Sequence, residues 1–210
     1  MKVLKIPEAT VSRLSVYSRF LDQTNKKGII TISSVDIAGG VGVSSAQVRK
    51  DLAYFGDFGT RGVGYNVKDL HNNIMKILGL NKRWKVVLVG AGNLGTALCT
   101  YDGFKERGFD IAAIFDNDPK KIGIKVNNLK VMSIEVLPDI IKENQIEIGV
   151  ITVPGVYAQS VANLLIKNNV TTLLNFAPEV LVVPRGVILR TVDLSAHLEI
   201  LTFNVASQKR

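Results

Sequence analysis

One cysteine, two histidines and one tryptophan are all that these 210 residues hold of those side chains. A single cysteine closes no internal disulfide, so stability must come from an apolar core, and a lone thiol fits a reducing compartment. Cys99 falls within a predicted helix, where it reads as a small buried hydrophobe. Long apolar runs are missing as well. No stretch of about 18 uninterrupted apolar residues occurs, which excludes a membrane-spanning helix. The longest candidate, IGVITVPGV, is broken by Pro154 and Gly155. The opening MKVLKIPEATVSR has no apolar stretch of the kind a secretion signal needs. These absences predict a cytoplasmic protein without a membrane partner. Acidic residues are also outnumbered, 18 against 26 Lys and Arg, for a net charge of +8.

What is present is a chain that is 47% hydrophobic and 21% charged, enough to build one large or two small cores. Its most specific feature is VVLVGAGNLG at residues 86–95, followed by IAAIFD ending at Asp116. A continuous apolar run predicts a central strand of a parallel sheet. Gly90 permits a tight turn out of it, Gly92 lets backbone approach a pyrophosphate, and Gly95 lets the next helix lie close to the sheet. The N–H groups of that helix start, at Asn93 and Leu94, face the same anion. Asp116, at the end of the next strand, can accept hydrogen bonds from both ribose hydroxyls and repels a 2′-phosphate, which favours NAD(H) over NADP(H). Lys120 and the nearby Lys121 temper that repulsion. The glycines match the dinucleotide fingerprint in its full context of strand, turn, helix and acid.

The fingerprint starts some eighty residues in, so something else occupies the front. Residues 1–80 carry 11 Lys and Arg against 6 Asp and Glu, and the longer remainder carries 15 against 12. The shorter segment is the more basic, as expected of a head that binds a polyanion. Val11, Leu14, Tyr17 and Leu21 recur at helical spacing. IITIS predicts a short strand or extended connection, Ser34–Ala38 a short helix, and Gly39, Gly40 and Gly42 a turn. Ser44 and Gln47 form a capping box for the next helix. There Val48, Leu52 and Phe55 share one face, and Gln47, Lys50, Asp51 and Tyr54 share the other. An amide, a cation, an acceptor and a phenol suit a major groove. Arg49, with Ser45 at the helix start, flanks that face and can hold a phosphate. DFGTRGVGYNV predicts a β-hairpin wing with Arg61 at its tip, able to enter a narrow minor groove. A helix over Asn66–Leu80 with Gly79 as C-cap and then NKRW close this segment.

The remainder alternates strands and helices, which predicts a doubly wound parallel sheet with right-handed crossovers. Strands are expected at Lys85–Val89, Ile111–Phe115, Lys130–Met132, Ile146–Val153, Thr172–Asn175 and Val187–Val192. Helices are expected at Leu94–Lys105, Ile134–Asn144 and Tyr157–Asn168. TVPG, with Val153 and Pro154, and NFAP, with Phe176, Ala177 and Pro178, leave strands at the carboxyl edge and should face the cofactor. In LSAHLEILTFNVASQ, Leu194, Leu198, Leu201 and Val205 lie at helical spacing with no later element to cover them, so a second subunit is the expected cover, with packing back on its own sheet as the alternative. The fold class is therefore α/β: a winged helix-turn-helix domain (1–80), a Rossmann-type domain (81–192) and a terminal dimerisation helix (193–210).

Along its whole length the chain resembles the Rex family of redox-sensing transcriptional repressors. The motifs IPEATVSRL, SSAQVRKDLAYFGDFGTRGVGY, VVLVGAGNLGTAL, IFDNDPKKIG, ITVP and NFAPEVL carry the resemblance. It implies a homodimer with a swapped terminal helix, which binds inverted-repeat operator DNA when NADH is scarce and is released by NADH, with NAD+ competing. It also implies that Arg49, Lys50 and Arg61 serve DNA, and that Arg19, Tyr101 and Asp193 couple cofactor to subunit arrangement. Some relatives carry an aromatic residue near the nicotinamide where this chain has Leu194.

The rival reading is an NAD-dependent oxidoreductase. Tyr101-x-x-x-Lys105 mimics the Tyr/Lys pair of short-chain dehydrogenases, but it lies in the first helix after the glycine loop, too early to flank a nicotinamide. His71 belongs to the head and His197 to the terminal helix, so neither suits hydride transfer. Once the sheet is counted no substrate domain remains, and no metal site is expected. The expectation is a sensor with no metabolic substrate.

Overall fold

The structure, a computed structural model, describes residues 6–60 and 62–208. The chain divides into two compact units, Met1–Lys82 and Arg83–Arg210.

In the first unit, α1 (Glu8–Lys26) is followed by β1 (Thr31–Ile32), α2 (Ser34–Val41), α3 (Ser45–Ala53), β2 (Gly59–Thr60), β3 (Gly64–Asn66) and α4 (Val67–Ile77). Leu14, Tyr17 and Leu21 of α1 meet Ile37, Val48, Leu52, Leu70 and Ile74 in one buried cluster. Val11 does not join them and is 40% exposed; Thr10, one residue earlier, is the buried member of that turn. The strands form an antiparallel sheet in the order β1-β3-β2, so β2 and β3 make the expected hairpin. Its tip residue Arg61 lies outside the described residues.

Three local expectations are corrected here. Gly39 and Gly40 belong to α2 rather than to the turn, and the ring of Phe20 lies where a side chain at Gly40 would stand. Gly42 alone makes the turn, at φ +74°. Only half of the Ser44 capping box exists: the Ser44 hydroxyl accepts the Gln47 N–H at 3.1 Å, but the Gln47 side chain is engaged elsewhere. The complete box is at Ser33 and Asp36, at the start of α2. The helix expected to Leu80 stops at Ile77, where Gly79 at φ +69° and the Leu80 N–H to Met75 carbonyl bond end it.

The second unit is built on β4 (Trp84–Val89), β5 (Phe109–Asp116), β6 (Lys125–Val126), β7 (Leu129–Ser133), β8 (Ile148–Ile151), β9 (Thr172–Asn175) and β10 (Ile188–Thr191). Its helices are α5 (Asn93–Cys99), α6 (Asp102–Glu106), α7 (Leu137–Asn144), α8 (Gly155–Lys167) and α9 (Leu194–Gln208). The strand order is β10-β9-β8-β4-β5-β7-β6, parallel throughout except for β6. Val87 and Val89 of β4 enter the core under α7 and α8, and Val86 and Leu88 enter the opposite one with Cys99 and Ile114. Burial on both faces is what makes the run continuously apolar rather than alternating.

The helix expected from Leu94 to Lys105 is two helices. The Thr100 hydroxyl donates to the Thr96 and Ala97 carbonyls, Tyr101 turns extended at ψ 106°, and Asp102 starts α6. The segment Ile134–Asn144 begins with a 3₁₀ turn, Ile134–Val136, before α7. Strand β6, absent from the expectation, is a two-residue return paired antiparallel to β7, with Asn127 at φ 54° in the turn. The strand expected at Ile146–Val153 is shorter, because Thr152 leaves it to reach the glycine loop.

Helix α9 has no buried residue among those described. Leu194, Leu198, Leu201 and Val205 are each more than half exposed, as are Ile200 and Phe203, half a turn away. At 3.6 residues per turn the two sets fall on opposite sides, so α9 is apolar on both.

Candidate cofactor cleft and nucleic-acid interface

The sheet reverses its winding between β4 and β8: from β4 the chain goes outward to β5 and β7, then crosses back to β8 on the other side. Loops leaving adjacent strands in opposite directions open a crevice at that carboxyl edge. A cleft of about 760 Å³ lies there, lined by Gly90, Gly92, Leu94, Asp116, Lys121, Val153, Pro154 and Phe176. Eight of the twelve residues expected to bind cofactor therefore share one cavity. Asn93 and Gly95 belong to α5, whose start supplies the free N–H groups.

Gly90 has φ +111°, and a side chain on it would run into the Thr152 backbone. A side chain on Gly95 would strike the Gly90 carbonyl, so α5 can approach β4 only with glycine there. Gly92 is different: nothing lies within 4 Å of where its Cβ would be, and that space is the cleft itself. The residues thus fit a pyrophosphate, with a backbone cradle that any side chain would fill. Sequence reasoning missed Thr152, whose hydroxyl donates to the Gly90 and Val89 carbonyls at 2.8 and 3.1 Å and holds the glycine turn against β8. It also missed Tyr157 and Ser160 of α8, which line the cleft wall. Their place on the first turns of a helix that starts at the carboxyl edge was the available signal.

Asp116 ends β5 and is 7% exposed. Its Oδ2 accepts the Ala91 N–H at 2.8 Å and the Lys121 ammonium at 2.9 Å, and its Oδ1 accepts the Asp118 N–H at 2.9 Å. Burial pushes this carboxyl up, but those three donors outweigh it and hold the group below the usual carboxylate range. A carboxylate has about four acceptor sites, and three are taken. With Lys121 in place one acceptor site is left, so the expected bonds to both ribose hydroxyls would have Lys121 give up its own. The Lys121 charge also offsets much of the repulsion toward a 2′-phosphate.

The remaining two expected cofactor residues stand apart. Ala177 and Pro178 line a smaller cavity of about 270 Å³ together with Asp193. Buried Asn175 shapes that loop: its Nδ2 donates to the Ala177 and Glu179 carbonyls, and its Oδ1 accepts the Ala177 N–H. Asp193 caps α9, its carboxylate held low by the Ser195 hydroxyl and the N–H groups of Ala196 and Ser195. Tyr101 is 61% exposed, with its ring edge-on to Phe104. With Lys105 it lines a separate cavity of about 170 Å³, away from the cleft. Arg19 is exposed on α1 of the other unit.

In that unit α2, the Gly42 turn and α3 form a helix-turn-helix. Arg49 and Lys50 are exposed on α3, Ser45 and Gln47 are partly exposed near its start, and Tyr54 is half-buried at its C-cap. Arg49 Nη1 donates to the Ser34 hydroxyl at 2.9 Å and stands at a concavity of about 580 Å³ between α3 and the hairpin. Asp51 is a correction: it does not share the exposed face but is fully buried. Arg13 clasps it with Nε to Oδ2 at 2.6 Å and Nη2 to Oδ1 at 2.7 Å, and Tyr17, Thr10 and Gln47 add hydroxyl and amide donors. Burial pushes the Asp51 carboxyl up, but these donors, Arg13 first, hold it low. The same burial and hydrogen bonding raise the Tyr17 phenol. The helical spacing of Asp51 allowed either face; partners 34 to 41 residues away decided it.

Known proteins resemble both units. The family described as CoA binding domain matches residues 81–179, and that described as putative DNA-binding protein N-terminus matches 5–53. The redox-sensing transcriptional repressor Rex of Carboxydothermus hydrogenoformans is 63% identical over 98% of this chain and 99% of its own length. The repressor of the same name from Streptomyces griseus is 49% identical over 95% of this chain and 79% of its own. Among solved structures, RSP in complex with NAD+ and operator DNA has a TM-score of 0.93 at 38% identity, covering 97% of this chain and 94% of that one. RSP in complex with NADH has a TM-score of 0.87 at 36% identity, covering 98% and 96%.

Proposed function

The chain belongs to the family of redox-sensing transcriptional repressors Rex, and from that membership we propose that it binds inverted-repeat operator DNA when NADH is low and is released by NADH. The observation that carries this reading is the pairing, in one chain, of a helix-turn-helix exposing Arg49 and Lys50 with a cleft at the sheet's carboxyl edge lined by the glycine turn, where Gly92 has open space in place of a side chain. Coenzyme A shares its adenosine diphosphate moiety with NAD(H), so the CoA-binding match describes the same sheet edge.

NADH or NAD+, when bound, supplies the redox signal. The chain's residues do the rest. N–H groups of Gly92, Asn93 and Leu94 hold the pyrophosphate at the start of α5, and Asp116 orients the adenosine ribose. Val153, Pro154, Phe176, Ala177 and Pro178 form the cover toward the nicotinamide end, and Leu194 keeps that cover apolar. On DNA, Lys50 and Gln47 read base edges, Tyr54 supports them, and Ser45 and Arg49 hold phosphates. Arg61 serves DNA, as the resemblance implies, and its glycine-rich setting suits a narrow minor groove. The two apolar faces of α9 make it the dimerisation element, slotted between surfaces of a second copy. Arg19, Tyr101 and Asp193 convert cofactor state into subunit arrangement. Half-sites about one helical turn apart are matched by only one arrangement of two heads, so a modest rotation breaks binding. The protein performs no catalysis in this scheme: Tyr101 and Lys105, the one dehydrogenase-like pair, lie outside the cleft.

The test is operator-type DNA titrated with NADH and NAD+ separately. Release by NADH with retention in NAD+ is expected, and release by neither would refute the sensing role. Binding free energies are reciprocal, so operator DNA must weaken NADH binding by the factor by which NADH weakens operator binding.

A further inference from the structure

Gln47 is the third residue of α3, in the N-terminal part of a recognition helix, where side chains meet base edges. Its Nε2 donates to Oδ1 of the buried Asp51 at 2.8 Å. That contact fixes which way the carboxamide lies. An ionised carboxylate only accepts, and hydrogen bonds led by Arg13 keep Asp51 ionised, so turning the amide over would set Oε1 against Oδ1. Asp51 is itself held from α1 by Arg13, Tyr17 and Thr10, so the orientation is set from the interior of the unit. Oε1 accepts no bond from any described residue, and no side-chain oxygen without a partner is fully buried among them, so Oε1 keeps access to solvent. Only one of the two Nε2 hydrogens is used by Asp51.

We propose that Asp51 holds the Gln47 carboxamide in the orientation that reads adenine in the operator's major groove. Oε1 accepts from the N6 amine and the remaining N–H serves N7. Guanine presents two acceptors, N7 and O6, so its O6 would meet Oε1. Gln47 is then the specificity-determining residue and Asp51 the positioning residue behind it. This rests on the operator-binding function above.

The experiment replaces each adenine of a half-site, one at a time, by purine, which lacks the N6 amine, and compares affinities for the wild type and Gln47→Ala. At one adenine per half-site the wild type should lose about 5- to 150-fold, the range of a bidentate base contact. Gln47→Ala should lose nothing further there, while its penalties at other adenines match those of the wild type. Asp51→Asn should lose the discrimination at that one adenine, because its side-chain amide can donate and frees Gln47 to turn over. Equal penalties in wild type and Gln47→Ala at every adenine would overturn the assignment with operator binding intact. Failure of the wild type to bind any inverted repeat would overturn the repressor reading as well.

Discussion

Removing the Asp116 carboxylate tests the cofactor site most sharply, because the structure separates three consequences. Asp116→Ala deletes the open acceptor site proposed for ribose, and a hydrogen bond to a charged group is worth about 1.5–3 kcal/mol, or roughly 10- to 150-fold in NADH affinity. It leaves the Ala91 N–H without the partner it now has at 2.8 Å, an unmet donor that costs about 1–3 kcal/mol and loosens the glycine turn. It also frees the Lys121 ammonium, now 2.9 Å from Oδ2, to meet a 2′-phosphate. The first two effects weaken every dinucleotide; the third helps NADPH alone. The expected result, read by titrating cofactor fluorescence, is a large loss of NADH affinity with little or no loss for NADPH, and a protein that stays on operator at NADH levels that release the wild type. Lys121→Ala should do the reverse, sharpening rejection of NADPH by leaving the Asp116 charge uncompensated. Asp116→Asn, which keeps an acceptor for Ala91, isolates the ribose and charge effects from the loop. Equal losses for NADH and NADPH in Asp116→Ala would mean that Asp116 supports the loop and does not meet the ribose.

Four further outcomes are expected. Lys50→Ala should weaken operator binding by about 1–3 kcal/mol and leave NADH binding unchanged; undiminished DNA affinity in a folded variant would remove α3 from the groove. The operator affinity should fall steeply with salt, and Arg49→Ala should flatten the log–log slope by about one unit for each phosphate that Arg49 neutralises; an unchanged slope would assign Arg49 to its Ser34 hydrogen bond instead. Arg13→Met should destabilise the first unit by up to about 3–5 kcal/mol, because it removes the counter-charge of buried Asp51 and leaves it only the neutral donors Tyr17, Thr10 and Gln47. Asp51's carboxyl lies below its ordinary value of 3.8 in the fold, so its stabilisation is present above that value and fades as pH falls below it. Arg13→Met should therefore move acid unfolding to higher pH, and unfolding curves that overlay those of the wild type would show that Arg13 contributes little. Truncation before Leu194 should abolish dimerisation and tight operator binding while leaving NADH binding measurable; a truncated monomer that still binds the full repeat would rule out α9 as the joining helix.

The sequence alone determined the elements whose signals are local. The glycine spacing from Gly90 to Gly95, the apolar run before it and the acid at Asp116 are all set by what a strand-turn-helix needs within one stretch of chain, so the cleft was legible in the residues themselves. The same holds for the helix-turn-helix and the hairpin, written in caps, glycines and helical periodicity. Strand-helix alternation and the handedness of crossovers predicted a doubly wound parallel sheet, whereas the strand order and its reversal between β4 and β8 were decided by the tertiary structure. What the sequence left open were choices made between distant residues. Helical spacing put Asp51 on the groove face with Gln47 and Lys50, but one turn of helix spans both sides of a boundary. Arg13, Tyr17 and Thr10 on α1 drew the carboxylate inward, because a buried charge is stable only where donors surround it. Lys121 looked like a neighbour of Asp116 and proved to occupy one of its oxygens. The helix break at Tyr101, the two-residue β6 and the grip of Thr152 on the glycine turn depend on side chains capturing backbone groups at close range, and no periodicity records that. Periodicity tells which residues can share a face; only packing decides which face is inside, because burying a polar group is settled by the partners that reach it.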